Sequence, residues 1–94
     1  MAILMIQDAS AESLASYDQI VAWLEAEGHG HPPGRLSHTA VRKGDGYLVA
    51  DVWESQEALD RFFGETLGPL FARAGTSGGG RPETYPVHNR IADE

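Results

Sequence analysis

Cysteine is absent from this chain, which excludes disulfide bonds, thiolate nucleophiles, iron–sulfur clusters and cysteine-based zinc sites. Basic residues are scarce: 7 Lys and Arg stand against 14 Asp and Glu, for a net charge of −7. Only Arg42 and Lys43 are adjacent. With no basic patch to follow a phosphate backbone, nucleic acid is not expected as a partner. Long apolar runs are also missing. Ala2 to Ile6 is short, lacks a basic leader and leads into an acidic region, so it reads as a strand rather than a signal peptide. A cytoplasmic protein with no membrane partner is the expectation.

What is present suits one domain, residues 1–94, because single cores commonly occupy about 100 to 150 residues. One sheet layered with helices at this length buries only roughly 60 to 65% of the unfolded chain's surface. A second copy covering one sheet face would add the missing burial, and a homodimer is expected on that ground.

The order of elements follows from periodicity and turn chemistry. Ala2 to Gln7 is a compact apolar run bounded by Asp8, Ser10 and Ser13, which suits a buried first strand. Ser16 with Gln19 three residues later has the spacing of a capping box, and Tyr17, Ile20, Val21 and Leu24 then share one helical face, with Trp23 at its edge. Gly28 is a natural helix stop, and the HGHPPG segment after it is a rigid loop. Arg35 to Lys43 alternates as a second strand, with His38 on the side of Leu36 and Ala40. Gly44-Asp45-Gly46 is a tight turn, and Tyr47 to Trp53 completes a hairpin. After Ser55 a helix presents Leu59, Phe62, Phe63, Leu67, Leu70 and Phe71 on one face. Gly64 and Gly68-Pro69 are expected to split it in two. Thr76 to Gly80 reads as a linker, without the strand and helix that a phosphate-cradling loop requires. Thr84 to Ile91 reads as a last, edge strand, because of Pro86.

The resulting β-α-β-β-α-β order is the α+β ferredoxin-like arrangement, a four-stranded antiparallel sheet with helices on one face. Two such sheets packed face to face make a dimeric α/β barrel. The segments DGYLVADVWESQEALDRFF, LGPLF and PETYPVHN resemble the small bacterial proteins of the dimeric α/β-barrel superfamily, in its antibiotic-biosynthesis-monooxygenase-like group. The resemblance spans nearly the whole chain. It implies the fold more strongly than an activity, since the group includes cofactor-independent monooxygenases, polyketide cyclases, haem-degrading enzymes and stress-induced proteins.

Candidate chemistry centres on His38 and His88, each within a predicted strand, where an imidazole in an enclosed pocket can act as acid or base near neutral pH. The alternative is a histidine satisfied by a backbone carbonyl. Asp51 shares a strand face with Tyr47, Val49 and Trp53. Beneath the helices its carboxylate would need a partner, and it would be a candidate acid, base or orienting group. Facing a second subunit, it would pair with an Arg. Tyr85 stands three residues before His88, on the opposite strand face unless Pro86 introduces a bulge. Trp53, with Trp23 and Phe62, is expected to contact substrate; core packing is the alternative reading of Trp53. His29 and His31 flank Gly30 in a loop, and no further ligands accompany them, so no metal site is assigned.

Resemblance to the cofactor-independent monooxygenases implies an apolar cavity in which an aromatic polyphenol is ionised and reacts directly with oxygen. Trp53 maps onto that motif. The supporting Asn and Arg of some members have no counterparts here, Asn89 and Arg90 standing at unmatched places. The Tyr/His pair of the cyclases would fall near Phe62, Phe63 and Leu67. The axial His of the haem-degrading branch has no equivalent in either predicted helix. The expectation is a cofactor-free enzyme that oxidises an enolisable or phenolic small molecule. The alternatives are a non-catalytic ligand-binding or stress-associated dimer, a polyketide cyclase-like enzyme, and a metal module using the loop histidines.

Overall fold

Residues 1–10, 14–75 and 82–93 are described by the structure, a computed structural model. The apolar N-terminal run forms strand β1, Ile3–Ala9, and helix α1 covers Leu14–Ala26. The hairpin strands are β2, Arg35–Lys43, and β3, Gly46–Trp53, and a last strand β4 covers Glu83–Pro86. They form one antiparallel sheet in the order β2-β3-β1-β4. This is the α+β ferredoxin-like fold.

The register places the chemistry. Met5 of β1 lies opposite Asp51 of β3, and Asp51 lies opposite His38 of β2. Directly paired residues project to the same face, so His38, Asp51 and Met5 share one side of the sheet. Tyr47, Val49 and Trp53 join them through the two-residue period of β3, and all three are buried. The helices cover this side, closing a core around Met5, Ile20, Leu24, Val49, Trp53, Leu59, Phe62 and Leu70. Each fully buried aliphatic or aromatic side chain contributes about 1.5–3 kcal/mol.

Local signals explain most boundaries. Gly28, at φ +80°, ends α1 in a Schellman motif: its N–H donates to the Glu25 carbonyl at 3.3 Å, and the His29 N–H donates to the Leu24 carbonyl at 2.7 Å. In the Gly44-Asp45 turn only the first position has positive φ, 60° at Gly44. That is the type II′ pattern, whose twist matches the flanking strands. Ser55 caps the second helical segment, its Oγ accepting the Ala58 N–H at 3.1 Å.

Three expectations are revised or refined. Helix α1 begins at Leu14, two residues before the predicted cap at Ser16, because Leu14 packs against the core and extends the apolar stripe by a turn. The helix after Ser55 divides into two α-helical pieces as expected, but without a break in the helical backbone. Helices α2, Gln56–Phe62, and α3, Gly68–Ala74, are joined by a π-helical turn, Phe63–Leu67, with helical backbone throughout. Pro69 lacks the N–H that an α-helical carbonyl at Glu65 would need, and the Gly68 N–H reaches five residues back to the Phe63 carbonyl. Strand β4 stops at Pro86, opposite Ile3 at the start of β1. Beyond it, among the described residues, the one main-chain hydrogen bond runs from the Val87 N–H to the Ala2 carbonyl at 2.9 Å, and His88 is not in a strand. The segment Thr76 to Gly80 lies outside the described residues. Among the described residues no helix is long and apolar enough to cross a membrane.

Candidate active site

A cavity of about 370 Å³ opens between the sheet and the helices. Its apolar wall comes from Ile20, Val21 and Leu24 of α1 and from Phe62, Phe63, Leu67 and Phe71 of the second helical run. Ligand pockets commonly fall at about 300–1,000 Å³ and combine such a wall with a few convergent polar groups. Here those groups include Tyr17, His38 and Asp51.

The polar groups form one hydrogen-bonded line. Asp51 is only 4% exposed. Its Oδ1 lies 2.5 Å from His38 Nδ1, and its Oδ2 accepts the Trp53 indole N–H at 3.2 Å. On the other side of the imidazole, His38 Nε2 lies 2.8 Å from the Tyr17 hydroxyl. The Tyr17 and His38 rings are stacked, with an interplanar angle of 20°.

Burial keeps the phenols of this site protonated. Burial is the first cause that raises the Tyr17 pKa above the ordinary phenol value; the negative charges of Asp51 and Asp18 raise it further, and Arg35 opposes them. Tyr47, whose ring lies 5.1 Å from that of Tyr17, is likewise raised, first by burial and then by Tyr17 and Asp18. Tyr17 therefore keeps its proton and donates it to His38 Nε2. A neutral imidazole accepting from Tyr17 at Nε2 has its ring proton on Nδ1, the nitrogen that faces Asp51 Oδ1. Among the described residues no buried side-chain nitrogen or oxygen lacks a partner.

The residues singled out in the sequence divide sharply. The structure brings His38, Asp51 and Phe62 to the cavity. Trp53 is not part of the cavity wall. It is fully buried behind Asp51, with its ring 5.4 Å from that of Phe62. Trp23 also lies off the cavity, under the Arg73 guanidinium at 3.9 Å. Tyr85 pairs with Leu4, so it projects from the uncovered sheet face, half exposed, and its hydroxyl donates to Glu83 at 3.3 Å. Pro86 produces no bulge that would turn it around, and His88 is exposed past the end of β4. Neither meets His38. Tyr17 is the cavity residue that sequence reasoning assigned only to packing. Its signal was a phenol within an otherwise aliphatic helical stripe.

The sequence matches no protein-family profile, and no curated protein is similar to it in sequence. Solved structures do match, over nearly the full length. A Caulobacter crescentus protein provisionally assigned as an antibiotic biosynthesis monooxygenase is 18% identical, with a TM-score of 0.64 over 94% of this chain and 89% of that one. The cofactor-independent oxygenase SnoaB of Streptomyces nogalater, solved as a mutant, is 16% identical, with a TM-score of 0.60 over 98% and 97% of the two chains. This is the antibiotic-biosynthesis-monooxygenase-like fold. The same fold serves a haem-degrading protein of Mycobacterium tuberculosis, at 18% identity and a TM-score of 0.56, covering 98% of this chain and all of that one. At such identities the monooxygenase-like proteins establish the architecture shared with this chain, and its own side chains must carry any argument about activity.

Proposed function

We propose that this protein is a cofactor-independent oxygenase of an enolisable or phenolic small molecule, with His38 as its base. The observation that carries the proposal is the Asp51–His38–Tyr17 line ending in an apolar cavity. A substrate hydroxyl or acidic C–H set against Tyr17 gives its proton to the phenol oxygen while Tyr17 passes its own to His38 Nε2. Asp51 stabilises the imidazolium that forms and holds the ring in the productive tautomer, as an orienting carboxylate does in other base-assisted enzymes. Trp53, bonded to the second oxygen, fixes the carboxylate. The substrate anion then reduces dioxygen: a CH₂ group and O₂ become C=O and H₂O, the substrate supplying the electrons. The likeness to SnoaB, described as a cofactor-independent oxygenase, supports this chemistry.

A filled pocket would have favoured the non-catalytic alternative. Instead Phe62 and Phe63 stand at the cavity wall, with Trp53 behind it, and leave about 370 Å³ open. The homodimer is part of the same proposal. Leu4, Ile6, Leu48, Ala50 and Val52 share the sheet face opposite the helices, bordered by the exposed Val41 and Tyr85. Packing this face on its copy would bury it without obstructing the cavity.

The reaction is tested with a dihydroxyanthrone as probe, following oxygen uptake and the anthraquinone absorbance. Wild type is expected to exceed spontaneous oxidation, with His38→Ala and Tyr17→Phe each lowering the rate on the order of 10²-fold or more, the usual worth of general acid–base catalysis. Equal rates in wild type and both variants would overturn the assignment of the base and its relay.

A further inference from the structure

We infer that the ligand of this cavity carries a carboxylate, and that Arg35 is the residue that recognises it. The inference rests on the proposed cavity and deepens it by naming the substrate class. Arg35 stands at the start of β2, three residues before His38, and its half-buried side chain lines the cavity. Its Nη2 donates to the Gly30 carbonyl at 2.7 Å, which anchors the guanidinium against the loop. A guanidinium has five N–H donors in a planar fork suited to a carboxylate. One is accounted for by Gly30.

Two further observations separate Arg35 from an ordinary surface cation. Among the described residues the ion pairs are His38–Asp51, Lys43–Asp8, Arg61–Glu57 and Arg73–Glu27, and Arg35 is in none of them. Glu25 also lines the cavity and lies close against Gly30, yet it is not within ion-pair distance of Arg35. A half-buried cation at the wall of this cavity, outside every ion pair among the described residues of a chain with net charge −7, is free to take an anionic group of a ligand. The field of Arg35 also reaches the Tyr17 phenol, where it opposes the upward pull of burial and Asp51. The guanidinium and the phenol both line the cavity. A ligand that satisfies both has an apolar, ring-sized body, an acidic O–H or C–H for Tyr17 and a carboxylate for Arg35.

Calorimetric titration with a matched pair of probes, a hydroxynaphthoate and its neutral hydroxynaphthamide, tests the inference on binding alone. Wild type is expected to bind the acid at least tenfold more tightly than the amide. Arg35→Gln should erase this preference, and Arg35→Lys should retain part of it, since Lys keeps the charge and loses the fork. Thermal melts of both variants establish that they are folded, and the Lys variant keeps the comparison decisive if the Gln variant is not. Equal affinity of acid and amide in wild type, no binding of the acid, or an undiminished preference in folded Arg35→Gln would each overturn the inference. His38→Ala should keep the acid preference. Loss of turnover with the neutral anthrone concerns the catalytic assignment, whereas loss of the acid preference concerns Arg35, so the two can fail separately.

Discussion

Each oxygen of the Asp51 carboxylate has its own N–H donor, the imidazole on one and the indole on the other, and a charge only 4% exposed needs both. For the phenols Tyr17 and Tyr47, burial favours the neutral forms. Their folded-state pKa values lie above 10.0, the ordinary value, so above that pH the unfolded chain releases protons that the fold retains. This contribution to stability is fully present below about pH 10 and is lost as pH rises through the folded pKa. Urea midpoints measured at about pH 8 and about pH 11 should therefore fall in wild type, and fall less in Tyr17→Phe/Tyr47→Phe. An unchanged difference in the double variant would remove the phenols as its cause. At this scale the sequence was half legible. Strand alternation placed Asp51 with Trp53, and the hairpin brought His38 near. The catalytic reading of Tyr17 needed the helix packed on the sheet, and the chemistry expected of Tyr85 and His88 depended on a bulge and a strand length that pairing with β1 does not allow.

Among the elements, the π-turn is where local rules and tertiary packing meet. Leu59, Phe62, Leu67 and Leu70 are buried, but the step from Phe62 to Leu67 is five residues, too long for one face of an α-helix. The wider turn absorbs the extra residue and returns Leu67 to the core, and Phe63 and Leu67 both border the cavity. Deleting Gly64, whose position has open space around it, should shorten the step from Phe62 to Leu67 to the four residues of one α-helical face. The variant is expected to melt within about 5 °C of wild type, a difference worth on the order of 1 kcal/mol. It should bind the hydroxynaphthoate at least tenfold more weakly, because the cavity wall is remade. Unchanged affinity in a folded deletion variant would show that the turn does not shape the site. Gly64 and Gly68-Pro69 were legible as an interruption, but a clean break and a π-turn share those residues. Only the five-residue step between buried positions distinguishes them.

For the molecule as a whole, the helices use one sheet face, and the apolar residues of the other are where the proposed second copy would pack. Wild type is expected to sediment as a dimer. Leu48→Glu, central on that face by its pairing with Val41 and Asp8, should sediment as a monomer with a lower melting temperature. A monomeric wild type would remove the dimer from the proposal. The topology was legible because the turn signals and two periodicities agree along most of the chain, whereas the helix and strand limits at Leu14 and Pro86 were set by neighbours distant in sequence. The two tryptophans have a consequence of a different kind. Trp53 is fully enclosed and bonded to the carboxylate, while Trp23 is half-buried beneath a guanidinium. Their emission should therefore differ in colour, and in a Trp23→Phe background the remaining light would come from an indole bonded to the Asp51 carboxylate. The protein carries its own optical gauge of the site, readable without a label.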